Sequence, residues 1–204
     1  MLTGGHQIMA TTRDNRTISQ FKSTLIGGGA RPNLFEVELA TFPGGIEWNA
    51  ANFRFMCKAA ALPAQNIAQI DIPFRGRTFK VAGDRTIDTW TVTIINDESF
   101  ELRNSFEQWT ELIAKLDNNL GATDPSAYMV NAKVFQLGRG SVKSSKDSTG
   151  DANAVLKEYE FIDIFPTTVS EIALSYDTGD TIEEFDVEFQ VQSLRLTGSG
   201  SPNG

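Results

Sequence analysis

The sequence has one cysteine and one histidine, and this scarcity removes several kinds of site. Cys57 has no second thiol for an internal disulfide or for a cysteine-based metal centre. His6 stands in a polar N-terminal stretch, with no acid beside it to build a triad. We therefore expect no disulfide, no metal and no cofactor, and we interpret Cys57 as a small buried hydrophobe rather than a nucleophile.

Catalytic motifs are also absent. The chain contains no GxSxG, HExxH or CxxC pattern, and the lysines of 138–154 do not fit the order GxxxxGK[ST]. Asp84 with Asp88, or Glu183 with Glu184, are the nearest approach to paired carboxylates. Acids in turns and on strand faces are ordinary, so we expect a protein that is not an enzyme.

Long apolar runs and a basic charge excess are lacking as well. No run approaches the roughly 20 apolar residues that span a bilayer, and residues 1–16 have no signal-peptide core, so we expect no membrane contact and synthesis inside the cell. The net charge is −8, and residues 151–204 carry eleven acids against two bases. An acidic protein does not gain affinity by wrapping a phosphate backbone, although an acidic wall can repel one.

Short segments with alternating apolar and polar residues dominate the chain, and each predicts a half-buried strand. The clearest is 181–196, where Phe185 and Val187 alternate with Glu184, Asp186 and Glu188. The other predicted strands are 33–40, 53–58, 67–74, 127–137, 155–165 (ended by Pro166) and 169–176.

Residues 79–97 contain two more alternating runs, which we interpret as strands joined by a turn at Gly83-Asp84. The second run places Trp90, Val92 and Ile94 on one face. Threonines at 89, 91 and 93 form the other face, which is polar but uncharged.

One helix is predicted, over 98–120. Its apolar residues recur at spacings of three and four, and Gly121 is placed to end it. The stripe consists of Leu102, Phe106, Trp109, Ile113, Leu116 and Leu120. Because a single amphipathic helix must lie on something, we expect Phe106, Trp109 and Ile113 to meet Trp90, Val92 and Ile94 in the core.

These elements predict a mainly β fold, an antiparallel sandwich or barrel with one flanking helix. We expect a flexible arm over 1–30, one β domain over 31–196 with a loop insertion at 138–154, and a polar tail over 197–204. The loop 42–52 carries Ile46 and Trp48, which either fold back onto the core or lie between subunits. Asp84 and Arg85 could form an ion pair within one subunit or across a boundary.

Several segments resemble the tail tube proteins of contractile-tailed bacteriophages of the myovirus type. VAGDRTIDTWTVTIINDE (81–98) is the most specific of them. The others follow in the family's order and extend the resemblance over 31–192: RPNLFEVEL (31–39), FMCKAAALPA (55–64) and FPTTVSEIALSYD (165–177) with TIEEFDVEFQVQ (181–192).

The resemblance implies a structural virion protein whose hexameric rings stack into the inner tube of a contractile tail. The implied partners are further copies of the chain, the sheath protein, and baseplate tube-initiator and tail-terminator proteins. Tape measure protein and DNA would pass through the lumen, without sequence-specific binding. Assembly would take place in the host cytoplasm, with the arm 1–30 and the segments 41–52 and 59–68 as candidates for contact between rings.

An inert tube agrees with the missing catalytic site, and we expect an acidic strand face to line the channel. The candidate lumen residues are Glu36, Glu38, Glu184, Asp186 and Glu188. Two alternatives share the fold, namely a tube protein of a bacterial contractile secretion system and a baseplate tube initiator. A third, of a different class, is a ligand-binding β-barrel, which needs an apolar cavity in a monomer.

Overall fold

The computed structural model describes residues 17–25, 28–139, 155–177 and 179–197. Eight strands, three α-helices and two short 3-10 turns occur in these ranges. In chain order the helices and strands are α1 (Ile18–Thr24), β1 (Phe35–Glu38), α2 (Ala50–Met56), β2 (Cys57–Ala60), β3 (Gln65–Phe74), β4 (Arg77–Ile87), β5 (Trp90–Ile95), α3 (Glu101–Ile113), β6 (Val130–Leu137), β7 (Val155–Val169) and β8 (Glu184–Thr197). The predicted mainly antiparallel β architecture with a flanking helix is confirmed.

Six strands form one antiparallel sheet in the order β1-β6-β7-β8-β5-β2. The sheet curves until its two edge strands approach each other, and α2 contacts both of them. Across the centre, Val187 pairs with Val92 of β5 and with Val169 of β7, so apolar side chains align on the inner face. The result is a nearly closed, barrel-like sheet.

The core fills the inside of this sheet and the space under α3. Trp90, Val92 and Ile94 are fully buried, as are Phe106 and Trp109, while Ile113 is partly buried against the same cluster. We expected Trp90 of β5 to contact the aromatic residues of α3 directly, and the ring contacts differ from this expectation. Among the aromatic rings, Trp90 meets Phe161 and Phe189, and Phe189 in turn meets Phe106 and Trp109.

Strands β3 and β4 form a separate two-stranded sheet, joined at Arg75-Gly76. Both turn residues have positive φ, 46° and 81°, the backbone of a tight hairpin turn. The predicted strand 67–74 and its turn into a hairpin are confirmed. The predicted turn at Gly83-Asp84 is wrong, because β4 continues to Ile87.

Gly83 serves close packing instead of a turn. The ladder shifts register between Ile67 and Gln69, and a Cβ on Gly83 would lie 3.1 Å from the Ala68 carbonyl oxygen. A glycine inside a strand often marks such a bulge. Strand β4 ends just before Asp88, whose N–H donates to the Ala64 carbonyl at 3.0 Å.

The predicted strand 53–58 is wrong over most of its length, because residues up to Met56 belong to α2. Asn49 caps this helix by accepting the Asn52 N–H at 3.1 Å. Phe53 is buried, whereas Phe55, which a strand would place on the same face, is 80% exposed. The local cap and the helix-favouring alanines therefore prevail over the apparent alternation.

The predicted helix 98–120 is too long at both ends. It begins at Glu101, after Phe100 with a positive φ of 55°, and it ends at Ile113. Leu116 and Leu120 are consequently exposed. The chain reverses and returns to the last helical turn, where the Ala122 N–H donates to the Leu112 carbonyl at 3.0 Å.

Two strand predictions near residue 170 need correction. Strand β7 continues through Pro166 to Val169, with a register shift between Pro166 and Thr168 that accommodates the missing N–H. Residues 170–176 are then not a strand, contrary to the prediction for 169–176.

The flanking segments are described only in part. The predicted flexible arm contains the helix α1, with a capping box between Thr17 and Gln20. Most of the predicted insertion 138–154 and all but the first residue of the tail 197–204 lie outside the described residues. No described helix is long and apolar enough to cross a membrane.

Candidate assembly surfaces

The outer face of the main sheet is acidic. Glu36 and Glu38 of β1 flank the buried Val37, and Glu184, Asp186 and Glu188 of β8 alternate with its buried residues. All five predicted lumen candidates thus lie on the side of the sheet away from the core, two of them on the edge strand β1 and three on the interior strand β8. Two more acids on this face, Glu158 and Glu160 of β7, were not among the predicted candidates. Further along the same strand the backbone is irregular at Asp163, which has a positive φ.

Most of these acids have a cationic partner. Arg54 of α2 contacts Glu36 at 2.6 Å and Glu38 at 3.7 Å, and thereby joins α2 to β1. The other pairs are Lys58 with Glu184 at 2.6 Å, Lys133 with Glu158 at 2.9 Å and Arg195 with Glu160 at 3.2 Å. The hydrogen bond from Lys133 to Glu158 raises the pKa of the lysine.

Asp186 and Glu188 differ from the other five acids, because among the described residues they take part in no ion pair. Across the ladder they face Thr93 and Thr91 of β5. We call these four residues the β8 patch. Among the seven acids named on this face, these two carboxylates are the ones without a described cationic partner.

The β3–β4 hairpin exposes a cluster of large apolar side chains. Directly paired residues share a face, and the pairs Ile70 with Val81 and Ile72 with Phe79 fall on one side with Phe74. Phe74 and Phe79 are each 65% exposed, and the others are exposed too. We call this side the apolar hairpin face. Within the described ranges this face stays exposed, and beyond its partner β3 the strand β4 makes only a small contact, with β8.

The hairpin is also basic at its tip. Residues 65–87 contain four bases and two acids, for a net charge of +2. Arg75 lies in the turn and Arg77 directly follows it, where Arg77 pairs with Phe74 on the apolar face. Lys80 pairs with Asp71 on the opposite face. An apolar strip with two arginines at one end is thus available for contact with a complementary surface.

The remaining interface candidates lie in two different settings. Trp48 stacks on Phe42 at 4.2 Å, and its Nε1 donates to the Leu39 carbonyl at 2.6 Å. Ile46 is likewise packed against the core, so both side chains are occupied within the subunit and a role between subunits stays a prediction. Asp84 and Arg85 are exposed on β4, and no ion pair joins them to each other in the described chain. Their contact across a boundary also stays a prediction.

No arrangement for catalysis or metal binding occurs among the residues that the structure describes. No group of three or more His, Cys, Asp or Glu side chains is close enough to hold a metal ion. Burial raises the pKa of the Cys57 thiol to about 12, so the reactive thiolate is scarce at neutral pH.

The family model for phage tail tube proteins matches residues 30–195, which include every strand except the last two residues of β8. The chain belongs to the phage tail tube protein family. This membership confirms the resemblance given by the short segments, and it places the chain among the structural proteins of bacteriophage tails.

Two curated relatives make the relation more specific. The tail tube protein gp19 of Enterobacteria phage T4 is 39% identical over 161 residues, which cover 79% of this chain and 88% of the relative. The tail tube protein of Serratia phage KSP90 is 23% identical over 180 residues, covering 85% and 93%.

Solved structures of contractile injection systems share the fold. A chain from the baseplate of the anti-feeding prophage superposes with a TM-score of 0.59 at 11% identity, covering 83% of this chain and 96% of that one. A chain from the sheath–tube complex of the extracellular contractile injection system PVC gives a TM-score of 0.52 at 12% identity, covering 90% and 99%. At such identities the likeness concerns the fold alone.

Proposed function

We propose that this chain is the tube subunit of a contractile phage tail, and that its copies form hexameric rings stacked into the inner tube through which the genome leaves. The exposed apolar hairpin face carries the proposal. A two-stranded hairpin with a bare apolar side is marginal in water, and it gains stability when another surface covers that side. Membership of the tail tube family makes a second copy the natural cover.

The partners follow from the same proposal. The tube lies inside a sheath, starts on a baseplate initiator and ends at a terminator protein. The similar solved chains come from a baseplate, a sheath–tube complex and a sheath/tube terminator assembly, which supports these three kinds of neighbour. Tape measure protein and DNA occupy the lumen without specific binding. Assembly takes place in the host cytoplasm, before the finished tail is part of the virion.

We infer that the β8 patch lines the lumen. Asp186 and Glu188 have no ion-pair partner among the described residues, and like charges repel DNA phosphates within about 8–10 Å at moderate salt. Glu36, Glu38 and Glu184 remain candidate lumen residues. Each would repel DNA less strongly, because a nearby cation offsets its charge. The two threonines of the patch, Thr91 and Thr93, are uncharged and offer no cation to which DNA could adhere.

Purified full-length protein tests the function by negative-stain microscopy and sedimentation velocity. Hollow tubes or rings are expected, whereas a stable monomer of about 22 kDa at every concentration would overturn the tube function. Such a monomer that also binds an apolar probe would support the ligand-binding barrel. Phage relatives favour a virus tail over a secretion machine, and sheath and terminase genes beside this gene would agree with that choice.

The lumen assignment has its own test. Tubes carrying Asp186→Lys and Glu188→Lys should still form and should bind duplex DNA in co-sedimentation, with wild-type tubes as the unbound reference. If an electron-microscopy reconstruction of the tube places Asp186 and Glu188 on its outer surface, the lumen assignment is disproved.

A further inference from the structure

The segment before β8 carries a negative charge, whereas the β3–β4 hairpin carries a positive one. Residues 170–183 contain four acids and no base. Of these acids, Glu171, Asp177 and Asp180 are exposed, whereas Glu183 accepts a hydrogen bond from Asn96 at 3.1 Å. We call residues 170–177 and 179–183 the acidic segment.

The acidic segment also exposes large apolar side chains. Leu174 is 80% exposed, Ile182 is 71% exposed, and Tyr176 is fully exposed. Three such side chains within nine positions are unusual for a surface that faces only water, and they mark a contact site. The segment thus offers apolar and anionic groups together, as the hairpin offers apolar and cationic groups together.

The two surfaces leave the sheet at opposite ends of the same strands. The hairpin returns to the sheet just before Trp90, which pairs with Phe189. The acidic segment enters β8 at Glu184, which pairs with Ile95 at the other end of β5. The groove at the root of the hairpin is lined by Arg85 and Ile87 together with residues 190–194, which places the root beside the later half of β8.

This placement favours a contact between copies over a contact within one copy. Two complementary surfaces at opposite ends of a subunit generate a head-to-tail interface, which closes into a ring or continues as a stack. The charge signs match such a contact, since the hairpin carries +2 and residues 170–183 carry −4. Matching signs steer association and fix its register.

We propose that the apolar hairpin face of one copy docks on the acidic segment of the next copy in the tube. Phe74 and Phe79 pack against Leu174 and Tyr176, while Arg75 and Arg77 lie against Asp177 and Asp180. This inference rests on the proposed tube function and names the two surfaces that would hold neighbouring copies together.

Charge reversal on both sides tests the contact in the full chain. The hairpin variant Arg75→Glu/Arg77→Glu and the segment variant Asp177→Arg/Asp180→Arg should each lower the sedimenting, assembled fraction at least tenfold. The four substitutions combined, or the two double variants mixed, should recover most of it, because the reversed signs match again. Raised salt should weaken wild-type assembly.

A matched control separates position from net charge. Arg77→Gln removes one charge from the apolar face, and Lys80→Gln removes one from the opposite face of the same strand. Only Arg77→Gln should reduce assembly. The variant Arg75→Asn adds a test that spares the turn, because asparagine suits positive φ better than arginine, so a loss of assembly there reflects lost charge rather than a misfolded hairpin.

The outcomes distinguish this contact from the tube function. If wild-type protein forms tubes and both reversed variants form them equally well, the hairpin docks elsewhere and the contact is disproved while the tube function stands. Weak assembly of both double variants without recovery on combination also disproves the contact. If wild-type protein forms no tubes or rings, the tube function itself fails.

Discussion

The indole ring of Trp90 stacks on the phenyl ring of Phe161, with ring centroids 4.5 Å apart and an interplanar angle of 22°. The two residues lie on β5 and β7, which β8 separates in the sheet. Phe189 of β8 lies 5.2 Å from the same indole, so one ring cluster spans three strands. Curvature of the sheet brings these side chains together on its inner face.

Replacing Trp90 by alanine should therefore cost about 3–5 kcal/mol of unfolding free energy, the range for a buried aromatic residue. Chemical denaturation monitored by circular dichroism measures it. The variant Trp90→Phe should cost clearly less, because a ring remains in the stack and Nε1 has no acceptor among the described residues. A folded Trp90→Ala variant of normal stability would show that this stack contributes little to the core.

The two phenylalanines of α2 should respond very differently to truncation. Phe53 is buried and Phe55 is 80% exposed, so Phe53→Ala should cost about 3–5 kcal/mol and Phe55→Ala less than about 0.5 kcal/mol. Urea unfolding of both variants under one set of conditions measures the difference. Equal losses would instead agree with a strand over 53–58, in which both rings share a face.

Gly121 is required for the return of the chain onto the end of α3. A Cβ at this position would overlap the Ile113 carbonyl oxygen, so Gly121→Ala should destabilise the protein by about 1–3 kcal/mol. Gly179→Ala is the matched control, because no atom lies within 4 Å of its added Cβ. Thermal melting of the two variants should separate them, and similar melting temperatures would rule out the close approach.

Cys57 should be a poor nucleophile while the protein is folded. Its pKa is raised from 9.0 to about 12, mainly by burial, so thiolate is scarce. Labelling with iodoacetamide at about pH 8 should be at least roughly 100-fold slower than in the urea-unfolded chain, since only the thiolate reacts. Equal labelling rates would contradict a buried thiol.

The same shift has a consequence for stability at high pH. Because the folded thiol keeps its proton longer than the unfolded one, its contribution is complete below pH 9.0 and is lost as pH rises toward about 12. The stability advantage of wild type over Cys57→Ala should therefore shrink across this range. An advantage that does not change with pH would show that the thiol titrates alike in both states.

Local pattern was sufficient where the pattern and the environment agree. The alternation around Phe185, Val187 and Phe189 predicted β8, and the spacing of Phe106 and Trp109 predicted the centre of α3. It was insufficient at Phe55 and at Leu116, where an apolar residue in register is exposed. A period shows which residues could share a face, but a cap or a chain reversal decides where the element begins and ends.

The candidate surfaces were predictable to a similar degree. The acids on the outer face follow from alternation, but the cations that offset Glu36, Glu38 and Glu184 come from α2 and β2, which only the folded chain brings near. Residues 170–176 were expected in a strand, because SEIALSY has strand-like composition, yet all of them except Ser170 and Ile172 are exposed. Their exposure follows from the end of β7 at Val169, which the composition does not indicate.

The sequence by itself determined the family, the β class and the position of most strands, because these depend on side-chain periodicity and on specific short segments. Only the tertiary structure decided which alternating segments join the core. The apolar residues of β3 and β4 have the same pattern as those of β5 and β8, yet the first set is exposed and the second is buried. Hydrophobicity requires a face to be covered, but it does not specify whether the cover is the same chain or another copy.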